Sequence, residues 1–188
     1  MEEKKMPIAS SCSFAGIRPA MVDLPYPEIR VERQNMAYAN ILSSDYCGAV
    51  SEMSAITQYI NNENRLSAVH CPLAKILLGI AMAEMMHLQK LGEMIVLLGG
   101  NIEFAAVQQN GRKRMWTPEF LTIPSQARQM ILADIEAEKA AISQYRMHIR
   151  MIKDIYIKAV LERIIKDEEY HIMMLRALME DDIIKNTM

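Results

Sequence analysis

Four stretches of the chain repeat apolar residues at the three- and four-residue spacing of a helix face, and a glutamate interrupts each stripe. The first runs from about Val31 to Asn61 and places Ile41, Gly48, Glu52, Ile56 and Tyr59 together, with Asp45 close by. The polar run Asn61-Asn62-Glu63-Asn64 is its natural stop. The second spans Pro72 to Leu98, with Pro72 suited to a first turn and Gly99-Gly100 to a C-terminal cap. Its stripe is Leu73, Leu77, Ile80, Glu84, His87, Leu91 and Leu98. The third starts near Ser125, runs to Met151, and lines up Ile131, Ile135, Glu138, Ile142 and Tyr145. The fourth carries Ile157, Leu161, Ile164, Glu168, His171, Leu175 and Leu178 to about Ile184, with the preceding turn near Lys153-Asp154.

These stripes predict an all-α fold, a four-helix bundle over residues 31–188 preceded by an irregular arm over residues 1–30. Pro7, Pro19, Pro25 and Pro27 exclude a helix from the arm. Its apolar residues, among them Phe14, Met21, Val22 and Tyr26, imply packing along the bundle or across a partner subunit. Short links join the first helix to the second and the third to the fourth, whereas residues 99–124 form one long B–C connection. That spacing predicts two antiparallel hairpins joined by a crossover. Arg112-Lys113-Arg114, beside the only tryptophan, Trp116, reads as a solvated loop within it.

Composition narrows the class. The 188 residues are 51% hydrophobic but only 6% aromatic, with 17 Met and 7 Gly, which suits helix-on-helix packing. A net charge of −2 gives no ground for a nucleic-acid partner. The apolar run Leu73–Ala83 contains Lys75 and ends at Glu84, so no membrane span is expected. Cys12, Cys47 and Cys71 are odd in number and lack a C-x-x-C pair, which points away from a disulfide scaffold or zinc knuckle. With no apolar run after the charged Met1–Lys5, the expected location is the reducing cytoplasm.

The candidate chemistry lies on the inward stripes. Glu84-Met85-Met86-His87 and Glu168-Glu169-Tyr170-His171 are both Glu-x-x-His, which on a helix aims carboxylate and imidazole the same way. One such tetrapeptide carries little weight in a helical chain. Two of them, with Glu52 and Glu138 on the other two helices, make the ligand set of a carboxylate-bridged two-metal site. Four buried glutamates would repel one another, and two divalent cations would balance their charge. Glu84 and Glu168 are placed to bridge, and Glu52 and Glu138 to bind terminally, one with each metal–histidine pair. These four glutamates are also the candidate catalytic groups. Oxygen-rich ligation with one imidazole per ion suits iron or manganese better than structural zinc. Tyr59 and Tyr145, two turns after Glu52 and Glu138, are placed to hydrogen-bond a ligand or carry an electron. Asp45, Asp134 and Asp167 are candidate acceptors for the ligand histidines. Glu169 points away, His70 and His148 fall outside the ligand set, and Cys71 reads as inert.

Over about residues 35–180 this pattern resembles the ferritin-like superfamily, and within it the rubrerythrin, bacterioferritin and manganese catalase branches. The runs Glu84-Met-Met-His-Leu-Gln-Lys-Leu-Gly and Glu138-Lys-Ala-Ala-Ile-Ser-Gln-Tyr carry the likeness most clearly. The resemblance implies a di-iron or di-manganese oxidoreductase acting on hydrogen peroxide or dioxygen, catalase-like or peroxidase-like. Ferroxidase or iron-handling activity, or a structural coat or shell protein with a vestigial site, is the alternative. With no C-x-x-C pair, the chain is expected to lack the rubredoxin-like electron-transfer domain of full-length rubrerythrins. The arm and the long B–C segment are similar to elaborations of the manganese catalases. Apolar positions facing outward (Met36, Ile60, the Met94–Ile95 region and Met173-Met174) suggest a homo-oligomer, a dimer or larger.

Overall fold

A computed structural model describes residues 12–108 and 110–180 of the chain. The expected ends at residues 1–11 and 181–188 lie outside the described residues. Five helical segments follow the four stripes: α1 Met36–Cys47, α2 Glu52–Leu66, α3 Cys71–Leu97, α4 Ala127–Met151 and α5 Ile155–Met179. α2 packs chiefly on α3 and α4 on α5, and the long segment between α3 and α4 makes the predicted crossover.

The first stripe is not one helix, and this corrects the expectation of an unbroken run. α1 ends at Gly48, whose N–H donates to Ser44 O at 3.0 Å. A Cβ on Gly48 would lie 2.5 Å from Ser44 O, so a larger residue would push the chain out of this exit. Three residues later Ser51 caps the new helix, its hydroxyl accepting from Ser54 N at 3.2 Å. The interruption makes Glu52 the first residue of α2, beside the partial positive charge of a helix N-terminus. Asp154 does the same work at the α4–α5 turn. Its Oδ1 accepts from Tyr156 N and Ile157 N, while its Oδ2 accepts from Glu32 N of the arm.

The crossover is more ordered than a loop. β1 (Ala105–Val107) and β2 (Lys113–Met115) pair antiparallel, and a 3₁₀ turn follows at Pro118–Phe120. Trp116 Nε1 donates to Ser54 Oγ at 3.0 Å, pinning this segment over the start of α2. Lys113 pairs with Glu103, and Arg114 stacks over Phe120, in keeping with the solvated-loop reading of that basic patch.

Two apolar clusters fill the bundle. One gathers Leu66, Leu73, Leu77, Ile80, Ile131, Ile135 and Leu175. The other gathers Leu42, Leu91, Leu98, Ile142, Ile157, Leu161 and Ile164. Each fully buried Leu or Ile contributes about 1.5–3 kcal/mol, so these clusters supply the stability against which polar burial must be set. Along α3 the glutamate and histidine stand between Ile80 and Leu91, and along α5 between Ile164 and Leu175. The polar layer therefore lies between the two clusters. α3 is long and apolar enough to cross a membrane by length and composition, but half of its most apolar window is buried inside the bundle and it carries two of the inward polar groups.

Two expectations about the surface and the arm change. Met94 and Ile95 belong to the core, and the exposed residues of that turn are Val96 and Leu97. Met36 and Met173 are exposed as expected. Cys71 is not an inert thiol but is bonded to Cys12, leaving buried Cys47 as the free cysteine. The odd count misled because one leftover thiol does not forbid a pair among the other two. The argument for a reducing compartment from unpaired cysteines thereby loses its premise. The bridge fastens the arm to the start of α3, and Ala20 N then donates to Gly79 O at 2.8 Å. Gly79 permits that approach, since a Cβ there would stand 3.2 Å from Arg18 O.

Cutting the bridge, by reduction or by Cys71→Ser, should cost about 2–4 kcal/mol, because it releases a loop of this length in the unfolded chain. Urea unfolding with and without reductant checks the loss, and thiol titration of the oxidised protein should find Cys47 alone.

Candidate metal centre

Each of the six converging side chains is at most 3% exposed. Their atoms form two overlapping groups, Glu52–Glu84–His87–Glu168 and Glu84–Glu138–Glu168–His171, with the ligand atoms of each group within 4.8 Å of one another. Glu84 turns Oε2 to His87 Nδ1 (2.7 Å) and Oε1 to His171 Nδ1 (3.1 Å). Glu168 likewise turns Oε1 to His87 (3.3 Å) and Oε2 to His171 (3.0 Å). Both carboxylates thus present one oxygen to each imidazole, as a bridging ligand must. Glu52 lies only beside His87 (3.7 Å) and Glu138 only beside His171 (3.4 Å), as terminal ligands would.

The far nitrogen of each histidine is fixed from outside. His87 Nε2 lies 3.1 Å from Asp167 Oδ2, and His171 Nε2 lies 2.8 Å from the Ala20 carbonyl of the arm. Both rings therefore present Nδ1 to the carboxylates, the arrangement by which a second partner orients a metal-binding imidazole. Asp167 is itself held by Arg163 (2.7 Å), Tyr26 Oη (2.6 Å) and Val22 N (2.8 Å). Burial would raise the Asp167 carboxyl, but these donors and His87 outweigh it and bring it down to about 2. Asp167 is the one predicted acceptor that meets a ligand histidine.

The other two do not. Asp45 accepts from His148 and Gln144, and Asp134 from Gln58 and Asn62. Asp45 reads as close to the first stripe and Asp134 as a candidate acceptor, but helical spacing could not say which partner stood opposite. The tyrosines do reach the glutamates, in a crossed pattern: Tyr59 of α2 donates to Glu138 of α4, and Tyr145 of α4 donates to Glu52 of α2. Tyr26, Arg163 and the Ala20 carbonyl were missed. Arg163, one turn before Asp167, was the only one with a local signal.

Charge shows what the cluster lacks. Burial first, and then the neighbouring carboxylates, push Glu52 and Glu138 well above the usual carboxylate range. Burial would also raise Glu84, but the two imidazoles overcome it and hold Glu84 low. His87 and His171 are raised, their desolvation outweighed by the glutamates. Without cations, protons would have to balance the layer, and the geometry serves hydrogen bonding poorly: Glu84 Oε1, Glu168 Oε2 and His171 Nδ1 are buried without an aligned hydrogen bond. Atoms 3.0–3.1 Å apart that converge but do not align are what a shared ion would satisfy. Four carboxylates and two imidazoles fit two divalent cations in charge and donor type.

A cavity of about 330 Å³ opens onto this layer between α2 and α4. Glu52, Glu84, Glu138 and Glu168 form its floor, and Ala49, Ala55, Ala133, Ala137 and Ala141 line it.

A helical bundle with paired Glu-x-x-His side chains and two further glutamates at its centre defines a ferritin-like di-metal carboxylate protein. The model of the rubrerythrin family matches residues 48–179, and the chain belongs to that family. A probable manganese catalase of Clostridium acetobutylicum is 25% identical over 166 residues, covering 79% of this chain and 73% of that one. The crystal structure of KatB, a manganese catalase from Anabaena, superposes with a TM-score of 0.74 at 22% identity, over 84% of this chain and 78% of that one. Rhodobacter capsulatus bacterioferritin gives a TM-score of 0.65 at 23% identity, over 77% and 84%. These two likenesses establish the fold.

Glu84→Ala should remove metal binding altogether, since it takes a bridge from both groups; retention of the full metal complement on elemental analysis would refute the bridging role. Asp167→Asn should leave both ions bound but weaken affinity by about 10–100-fold.

Asp134 gives a separate pH signature. Burial pushes its carboxyl up to about 6, against the hydrogen bonds from Gln58 and Asn62 that lower it. It takes up a proton on folding, so its contribution is greatest below about pH 4 and is lost as pH rises through 6, a change of about 3 kcal/mol. Chemical unfolding of metal-free protein should show wild type losing that much relative to Asp134→Asn over this interval; parallel curves would contradict it.

Proposed function

We propose that this chain is an oxidoreductase that breaks down hydrogen peroxide with a pair of iron or manganese ions held by Glu52, Glu84, His87, Glu138, Glu168 and His171. The observation that carries the reading is the pair of complete donor groups sharing Glu84 and Glu168 at the floor of an accessible cavity. The bound pair would supply two electrons and take them back. The side chains do the rest. Glu84 and Glu168 fix the spacing of the two positions, and the four carboxylates balance charge. Tyr59 and Tyr145 keep Glu138 and Glu52 from swinging. The apolar clusters on either side leave that cavity as the layer's way in for water and substrate. The manganese catalase relative favours dismutation without an external donor.

The alanine-lined cavity favours a second reading, in which the substrate is larger than hydrogen peroxide. A volume of about 330 Å³ is of the size that holds a small organic ligand. An organic hydroperoxide is the substrate of that size closest in chemistry to the first reading.

One experiment separates these readings. Protein purified without added metal or chelator is assayed for metal content, and then for consumption of hydrogen peroxide and of cumene hydroperoxide. Two manganese ions per chain with oxygen evolved and no reductant added is the result expected of a catalase. Two irons with turnover only when a donor is added would make it a peroxidase. Faster loss of cumene hydroperoxide, abolished by the cavity-filling Ala137→Leu, would establish the larger substrate. Rapid oxidation of excess Fe(II) with no peroxide turnover would replace both readings with ferroxidase activity.

A further inference from the structure

A second buried polar cluster stands beside the metal centre and is used by none of its ligands. Asp45 of α1 and His148 of α4 are 1% and 5% exposed, and His148 Nδ1 lies 2.8 Å from Asp45 Oδ2. Gln144 Nε2 donates to Asp45 Oδ1 at 2.7 Å and to Val50 O at 2.8 Å, which fixes the carboxylate's other oxygen. Burying an ionisable pair costs desolvation, and an apolar pair would tie two helices together as well or better. The location of this pair suggests another use.

The two partners line different cavities. Asp45 lines the alanine-walled cavity together with Glu52 and Tyr145. His148 lines a separate cavity of about 300 Å³ with Arg114, Met147 and Met151. Gln144 borders both. With Nδ1 turned to Asp45, the ring has Nε2 to offer the second cavity, and among the described residues no hydrogen bond engages that nitrogen. The charged groups around the ring are Asp45 of α1, at Nδ1, and Arg114 of β2, which lines the second cavity and stacks over Phe120. Burial raises the Asp45 carboxyl and the His148 and Gln144 contacts lower it, so this carboxylate is suited to taking and giving a proton.

We propose that His148 and Asp45 form a proton relay between the second cavity and the metal centre. This rests on the metal-binding reading above. A proton taken at His148 Nε2 makes the ring doubly protonated; its Nδ1 proton passes to Asp45 Oδ2, and Asp45 delivers it across the substrate cavity toward Glu52. The reverse sequence exports a proton. Reduction of one hydrogen peroxide to two waters consumes two protons and two electrons, and oxidation of a second hydrogen peroxide to dioxygen returns both. The full cycle balances, but each half leaves a buried site two protons short or in excess. A relay to solvent removes that imbalance.

The test begins with proton movement in the absence of turnover. Manganese(II) binding to carboxylate and imidazole releases protons. Metal-free full-length protein is mixed with manganese(II) and a pH indicator, and metal uptake and proton release are followed together. His148→Gln keeps the side chain's bulk without its basic nitrogen. It should slow release by on the order of tenfold or more while the final metal content is unchanged. His148→Gly should be equally slow and should recover with added imidazole but not with acetamide, a rescue that a merely structural histidine would not show. Unchanged release in His148→Gln, or a folded His148→Gly that ignores imidazole, overturns the relay. Where the loaded protein consumes peroxide, turnover should fall and recover in parallel, and unaltered turnover also overturns it. Wild type that loads metal without consuming peroxide would sink the proposed function, leaving proton release to decide the relay. A chain that takes up no metal overturns both.

Discussion

Four carboxylates and two imidazoles share one dry layer between two apolar clusters, and the rest of the structure answers to that constraint. Bare, such a layer would cost more in desolvation and repulsion than the neighbouring leucines and isoleucines could offset. Without cations, protons and imidazole hydrogen bonds would supply part of the compensation. Three atoms at the very centre are still left without aligned partners. The geometry that is poor for hydrogen bonding is good for coordination. Each of Glu84 and Glu168 divides its oxygens between His87 and His171. Such a site costs stability on its own, and ions bound there would offset that cost.

Such a layer must be held still, and the holding is done largely from outside the four helices. The arm is not an appendage. Its Ala20 carbonyl orients His171, while Val22 N and Tyr26 Oη hold Asp167, which orients His87. Arg163 ties the same segment to α5 through the Val22 and Leu24 carbonyls. The Cys12–Cys71 bridge and the close pass over Gly79 keep the arm in register with α3. The crossed tyrosines, which line the cavity, link α2 to α4 through Glu138 and Glu52. The break between α1 and α2 belongs to the same design, because it sets Glu52 at a helix N-terminus where its negative charge is favoured.

The bundle was legible because helix packing leaves a periodic trace. Leu77, Ile80, Glu84, His87 and Leu91 recur at the spacing of one helix face; α3 and α4 begin and end, and α5 begins, within a few residues of the expected positions. The six converging side chains were legible for the same reason: a glutamate on an apolar stripe is either paired or costly, and four of them with two histidines on four stripes point to one place. The break at Gly48–Ser51 was not, because Ile41, Glu52 and Tyr59 keep helical phase across it and a lone glycine inside a helix is tolerated. The pairing of Cys12 with Cys71 was hidden in an odd cysteine count. The β1–β2 pair is too short to leave an alternating pattern.

By itself, the sequence determined the helical class, the crossover and the chemical nature of the central layer, since these follow from local periodicity and from which side chains can afford burial. Tertiary structure decided who faces whom. Asp45, Asp134 and Asp167 were equivalent in the sequence as candidate acceptors, yet one meets His148, one meets Gln58 and Asn62, and one meets His87. Spacing fixes the direction of a side chain relative to its own helix. The partner opposite depends on how helices dock and where the arm crosses them, and contacts between residues as far apart as Ala20 and His171 leave no mark in the local pattern.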